Sequence, residues 1–183
     1  MESVENSDIE IRHPRAEDVR GMQEVFYRAW LATYPNEAAG ITAADIEERF
    51  KDRFEEGRIQ KRIEAFTHPP EGETWLVARR GDAVVGIACA VKEVDKNQMK
   101  VIYIHPDYWH QGIGTQLWHT MRQYVDPTKD TYVQLADYNA QAKNFYEKLG
   151  FVDTGRRFPS TVLKARNGKS ATEMEMVLKA TGD

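Results

Sequence analysis

Residues 74 to 104 constrain the fold most, because they read as three strands in a row with no segment between them long enough for a helix. Thr74 to Arg79 and Ala83 to Val94 are apolar-rich runs flanking Arg80-Gly81-Asp82, a turn-forming group short enough to require an antiparallel hairpin. Met99 to Ile104 is the third run, and Pro106, which has no N–H to give a ladder, helps end it. Parallel neighbours need long crossovers, so this block excludes a regular doubly wound parallel sheet.

The flanking segments alternate strand and helix. Asp8 to His13 alternates polar and apolar residues as a half-buried strand does, and Pro14 closes it. From Ala16 to Tyr34, Val19, Met22, Val25, Phe26, Ala29 and Trp30 recur mostly at steps of three and four, the mark of an amphipathic helix. Thr42 followed by Asp45, with Ile46, Phe50 and Phe54, predicts a second helix with a polar start. It either continues through Glu55 to Thr67 or breaks at Gly57 and restarts, and His68 to Gly72 is a loop. Downstream, Ile113, Leu117, Met121 and Val125 form one stripe of a helix beginning near Gly112. Thr131 to Ala136 is a strand, Asn139 to Gly150 a helix, and residues 151–157 and 171–178 are strands with a turn at Asn167-Gly168. The sum is an α/β (α+β) fold: a mixed, mostly antiparallel sheet of about six to seven strands, flanked on both faces by about four helices.

At 183 residues the chain is expected to form a single domain, 1–183, with its core at about residues 8 to 179. A net charge of −4 gives no general attraction for nucleic acid or an anionic membrane. No apolar run approaches the roughly 18 residues of a membrane span. The first thirty residues lack the basic start and apolar centre of a signal peptide, so a cytoplasmic location is expected. Cys89, the sole cysteine, cannot form an intramolecular disulfide, and its apolar surroundings suit a small buried hydrophobe.

The segment from Ile104 to Thr115, between a strand and a helix, carries the first chemical signal. Gly112 and Gly114 let backbone N–H groups approach an anion closely, and a helix start aims unpaired N–H groups and partial positive charge outward. The ligand this predicts is a phosphate or pyrophosphate; a tight turn before a helix is the plainer reading of the same pair. No Gly-Lys-Ser/Thr follows and no third glycine completes a dinucleotide fingerprint, which argues against nucleotide hydrolysis and hydride transfer. The second signal is Asn139 to Phe151: on a helix Asn139, Ala142, Lys143 and Tyr146 share one side, with Phe145 and Leu149 on a neighbouring apolar stripe. That side either lines a site or, at Tyr146, packs a core aromatic.

Together these segments resemble the GNAT superfamily of acyl-CoA-dependent N-acetyltransferases. The matching residues are Ile104-His105-Pro106, Gly112-Ile113-Gly114, Asn139, Ala142, Phe145-Tyr146 and Gly150-Phe151, while Trp109 departs from the usual Gln or Arg. The resemblance implies that acetyl-CoA is the acyl donor, with no metal. It implies that backbone amides of His110, Gln111, Gly112, Ile113, Gly114 and Thr115 hold the pyrophosphate. By the same resemblance the Ile104 N–H polarises the thioester carbonyl as an oxyanion-hole donor, Asn139 bonds the CoA arm, Lys143 reaches a phosphate, and Tyr146 protonates the leaving thiolate. The implied partners are acetyl-CoA and an amine, with neither nucleic acid nor membrane, and a homodimer is a permitted assembly.

The reaction so implied is direct attack of a neutral amine on acetyl-CoA, which requires a base or a water chain, since an alkylamine is mostly protonated at neutral pH. Val101 to Ile104 contain no acid, so Glu93, Asp95, Asp137 or water are the candidates. For the acceptor, Trp30 and Tyr34 resemble the Trp-x-x-x-Tyr arrangement of polyamine-type and other small-amine acetyltransferases, and Tyr103 is a further pocket candidate. An aromatic wall with acids nearby suits a cationic amine, although Trp30 and Tyr34 at this spacing are equally core residues. A protein N-terminus, an amino acid or an aminoglycoside is the alternative acceptor, and a catalytically silent acyl-CoA-binding module the alternative function. His105, His110 and His119 do not have metal-motif spacing. None of Ser3, Ser7, Ser160 and Ser170 lies in a Gly-x-Ser-x-Gly context, which argues against a hydrolase triad.

Overall fold

The computed structural model describes residues 9–180, so Ser3, Ser7 and Asp8 lie outside the described residues. Strands β1 (Ile9–Arg12), β2 (Glu73–Arg80), β3 (Ala83–Lys92), β4 (Asn97–Ile104), β5 (Thr131–Ala136), β6 (Val152–Lys164) and β7 (Ser170–Leu178) form one sheet in the order β1-β2-β3-β4-β5-β7-β6. Every neighbouring pair is antiparallel except β4 and β5, which run parallel. The helices are α1 (Val19–Thr33), α2 (Ala43–Phe50), α3 (Glu56–Thr67), α4 (Ile113–Met121) and α5 (Ala140–Lys148). The mixed, mostly antiparallel sheet agrees with the sequence reading.

Side chains alternate across the sheet, so each central strand feeds two cores. On one face Leu76, Ala78, Ala88 and Ala90 pack with Ile113, Leu117 and Met121 of α4 and with Tyr146 of α5. On the other, Val77 and Ile87 pack with Val19, Met22 and Val25 of α1 and with Ile59 and Phe66 of α3. A third cluster, around Trp30, Ile46, Ala136 and Leu163, fills the space under α1 and α2. Among the described residues no helix is long and apolar enough to cross a membrane.

Three elements differ from expectation. The second helical stretch becomes two helices, making five in all, and the break falls at Lys51 to Glu55 while Gly57 lies inside α3. Phe50 is held by the Trp30 and Tyr27 rings, and Arg53 stacks 4.0 Å over Tyr27 while donating to the Phe50 carbonyl. The chain turns there and leaves Phe54 41% exposed. Helix α4 stops at Met121, short of Val125. Strand β6 runs on to Lys164; its register against β7 shifts between Asp153 and Arg157 and again after Pro159, which hides the two-residue alternation. As an edge strand it tolerates Pro159.

The β4–β5 pair positions the site. Only Asn97, Gln98 and Met99 register with Thr131, Tyr132 and Val133; beyond them the strands part. At that point Lys100 is an extra residue against β3, since Cys89 faces Val101 but Ala90 faces Met99. Such a bulge bends its strand and increases the local twist, here turning β4 away from β5. The closed end of the wedge is pinned by Asn97, which is fully buried. Its Nδ2 donates to the carbonyls of Asp126 and Lys129 at 2.8 and 3.2 Å, and its Oδ1 accepts from the Asp126 N–H at 3.0 Å. Asn97→Ala leaves those part-buried groups without partners, at about 1 kcal/mol each. Thermal or urea denaturation is expected to show a loss of about 3 kcal/mol.

Candidate active site

Where β4 and β5 separate, a cavity of about 560 Å³ passes between their edges, lined by Lys100 to Ile104 on one side and Val133 to Leu135 on the other. Ala29, Thr33 and Tyr34 of α1 close it from one face of the sheet. The first turn of α4 and one side of α5 close it from the opposite face. The slot thus offers two approaches to one pair of strand edges.

The α4 entrance presents a row of open N–H groups. His110 and Gly112 have φ of 61° and 76°, so the loop curls and turns successive N–H groups to one side. The first helical bond runs from Gln116 N–H to Gly112 carbonyl. Among the described residues the N–H groups of 110–115 meet no backbone or side-chain acceptor. These open donors and the helix dipole favour a phosphate group. Gly114 has a different task from Gly112: a Cβ there would lie 3.2 Å from the Phe145 ring, so the residue lets α4 and α5 close together.

Ile104 supplies a further open donor. The His105 N–H bonds the Val85 carbonyl, so Ile104, opposite Gly86 in the alternating antiparallel ladder, turns its own N–H and carbonyl toward the side β5 has left. Its carbonyl is taken by the Trp109 indole, whose Nε1 donates at 2.9 Å, and its N–H is left open to the cleft. Trp109, at the position of the usual Gln or Arg, therefore ties the loop before α4 to the end of β4.

The α5 wall differs in part from the expected face. Asn139 lines the cleft, but its Oδ1 caps α5 by accepting the Ala142 N–H at 3.0 Å, which leaves only Nδ2 for a ligand. Lys143 is not on the wall; it faces Glu147 at 3.8 Å on the outer side of the helix. Lys148 and Lys100 are the lysines on the wall, Lys148 one turn past Asn144 and Lys100 placed by the bulge that the sequence did not announce. Asn139→Asp keeps an oxygen for the cap but loses the amide donor, whereas Asn139→Ala loses both. Titration with CoA is expected to weaken for both variants, while α5 stability falls by about 1 kcal/mol in the alanine variant alone.

Tyr146 is 5% exposed, with its ring against Phe145 and Phe151 at 5.1 and 5.2 Å. It lines the cleft, and among the described residues its hydroxyl has no hydrogen-bond partner. Burial, reinforced by Tyr103, pushes its pKa well above that of a free phenol, so it stays protonated. Across the cleft the Tyr34 and Tyr103 hydroxyls meet at 2.8 Å, and burial raises both of them too. Tyr138, pushed up to about 12 by burial, donates to the Tyr34 carbonyl at 2.8 Å. Trp30 is not on the wall. It sits behind Tyr34, with ring centroids 4.8 Å apart, and Arg49 covers it at 4.7 Å.

None of the expected acids reaches the cleft. Glu93 and Asp95 lie in the β3–β4 turn, roughly 20 Å along β4 from Ile104. Asp137 is exposed past the end of β5 and is not part of the wall. The titratable groups on the wall are tyrosines, His110, Lys100 and Lys148, so the expected acidic acceptor side is not what lines this cavity. Acids do line a second cavity, about 550 Å³, between the start of α1 and the β2–β3 hairpin, where Glu17, Asp18, Glu24, Asp82 and Asp107 gather. There Asp18 is held by Arg12 at 2.6 Å and Arg79 at 3.2 Å.

The seven-stranded sheet thus splits between two parallel strands, with open amides at one strand end and at the following helix start. The chain belongs to the acetyltransferase (GNAT) family, whose profile matches residues 23–151. Over 87 residues it is 31% identical to the peptidyl-lysine N-acetyltransferase YjaB of Salmonella typhimurium. That alignment spans 48% of this chain and about half (55%) of the relative. The fold is similar to that of the PaiA N-acetyltransferase of Thermoplasma acidophilum in complex with coenzyme A, with a TM-score of 0.64 and 20% identity over 91% of this chain and 97% of that one. It is also similar to YncA of Salmonella typhimurium with acetyl-CoA, with a TM-score of 0.59 and 19% identity over 97% of this chain and 96% of that one.

Proposed function

We propose that the protein transfers the acetyl group of acetyl-CoA to the primary amine of an alkylammonium substrate in the slot between β4 and β5. The observation that carries this reading is the row of open N–H groups at 110–115 next to the single open N–H of Ile104. The row takes the CoA pyrophosphate; the single donor takes the thioester oxygen. In the tetrahedral intermediate that oxygen becomes an anion, and one preorganised donor is worth about 3 kcal/mol there. Asn139 Nδ2 donates to the pantetheine arm, and Tyr146 stands by the sulfur.

Donor and acceptor enter from opposite faces, CoA past α4 and α5 and the amine past α1. The amine nitrogen forms the new C–N bond, the C–S bond breaks, and its electron pair goes to sulfur, which takes a proton through the Tyr146 hydroxyl. The phenol faces of Tyr34 and Tyr103 suit an organic cation. We assign a small cationic amine such as a polyamine as the acceptor class; a peptidyl lysine presents the same alkylammonium, and a relative over 87 residues is named for that activity.

The test mixes protein and acetyl-CoA with spermidine, a lysine-containing peptide, an alanine-starting peptide and an aminoglycoside, and follows thiol release. Turnover with spermidine or the lysine peptide is expected. Saturable CoA binding with no turnover on any amine would instead identify a silent acyl-CoA-binding module.

A further inference from the structure

Attack requires a neutral amine, yet among the described residues no carboxylate lines the slot. His110, the one imidazole on the wall, belongs to the loop whose open N–H groups are assigned above to the pyrophosphate. On the acceptor side the titratable groups are phenols. Tyr103 is the neighbour of Ile104 on β4 and projects to the opposite face, toward α1, where its hydroxyl lies 2.8 Å from that of Tyr34 and either oxygen can be the donor. Tyr34 caps the end of α1, and Tyr34 and Tyr103 both line the cavity, so the pair runs from the reacting strand along the wall of a solvent-open slot.

We propose that the Tyr103 and Tyr34 hydroxyls form a two-link relay that carries the proton off the attacking amine. This rests on the acetyl-transfer reading above and adds the missing base-side route to it. The bound ammonium first passes one proton to Tyr103 Oη while the Tyr103 proton passes to Tyr34 Oη and Tyr34 releases its own to water at the mouth of the slot; this frees the nitrogen lone pair, which then forms the C–N bond. A second nitrogen proton restores Tyr146 after it protonates sulfur; for an ammonium substrate the third stays in the amide. No phenolate forms at any point, in keeping with the burial that raises both phenols. The charged groups nearest the pair, Glu173 of β7 and Arg49 of α2, act on Tyr103 in opposite senses.

The experiment uses full-length protein and the faster of spermidine and the lysine peptide, with kcat measured in mixtures of H2O and D2O. In the wild type a bowed dependence on deuterium fraction is expected, since more than one proton is in flight. Tyr34→Phe, Tyr103→Phe and the double variant should each lose about 10²-fold in kcat. They should lose it equally, because a chain broken at one link is broken throughout, and their residual rate should depend linearly on deuterium fraction. CoA affinity should be unchanged in all three. Wild-type rates in either single variant, losses that multiply in the double variant, or a bowed dependence surviving in a single variant overturns the relay. Absence of wild-type turnover on every amine overturns the acetyltransferase reading itself and the relay with it.

Discussion

Gly112→Val is expected to abolish measurable CoA binding. Gly112 holds φ at 76°, a region that a β-branched residue enters only with strain of about 1–3 kcal/mol. If the loop relaxes to relieve that strain, the N–H groups of 110–115 no longer converge, and each charge-assisted bond lost costs about 1.5–3 kcal/mol. Two such bonds lost already exceed about 2.8 kcal/mol, or a hundredfold in Kd. The control is Gly168→Val, at φ 84° in the turn between β6 and β7, which carries the same backbone strain at a residue that does not line the cleft. Calorimetric titration with CoA should show no saturation for the first variant and wild-type affinity for the second. Wild-type affinity in Gly112→Val would remove the loop from the binding site.

Tyr146→Phe is expected to lower kcat by about 10²-fold, roughly 2.7 kcal/mol of transition-state stabilisation, with CoA affinity little changed. The phenylalanine ring keeps the contacts with Phe145 and Phe151, so packing survives. The lost hydroxyl has no partner among the described residues, so folding stability is expected to hold as well. What disappears is the proton donor beside the sulfur. Because the Ile104 N–H is untouched, activity should fall without vanishing. Unchanged turnover would exclude Tyr146 as the required acid, and a parallel fall in CoA affinity would make it a binding residue instead.

Much of this was legible from short-range patterns. The hairpin at Arg80-Gly81-Asp82, the helix start near Gly112 and the helix that begins at Asn139 are set by local chemistry, and the structure has each of them where the sequence puts it; that Asn139 caps its helix instead of sharing its face is a finding of the structure. Long-range events were not legible. The bulge at Lys100 depends on how β3 and β4 register, and it decides both where β4 leaves β5 and which lysine reaches the wall. The same limit applies to Trp30 and Tyr34: on one helix face at i and i+4, one is buried behind the other, and only the packing of α2 tells which ring meets the cleft. Glu93 and Asp95 were drawn to the site by sequence proximity to β4, but a strand of eight residues puts its two ends far apart. The bond from Trp109 Nε1 to the Ile104 carbonyl had no sequence signal beyond an unexpected residue.

The central claim is that acetyl-CoA is held by backbone amides at the end of β4 and at the start of α4. It is tested most directly by amide NMR of the protein titrated with acetyl-CoA. The account predicts the largest shift changes, with slowed hydrogen exchange, at the N–H groups of Ile104 and of residues 110–115. Changes confined to the acid-lined cavity around Asp18 and Asp82, with Ile104 and the Gly112 loop unmoved, would contradict it.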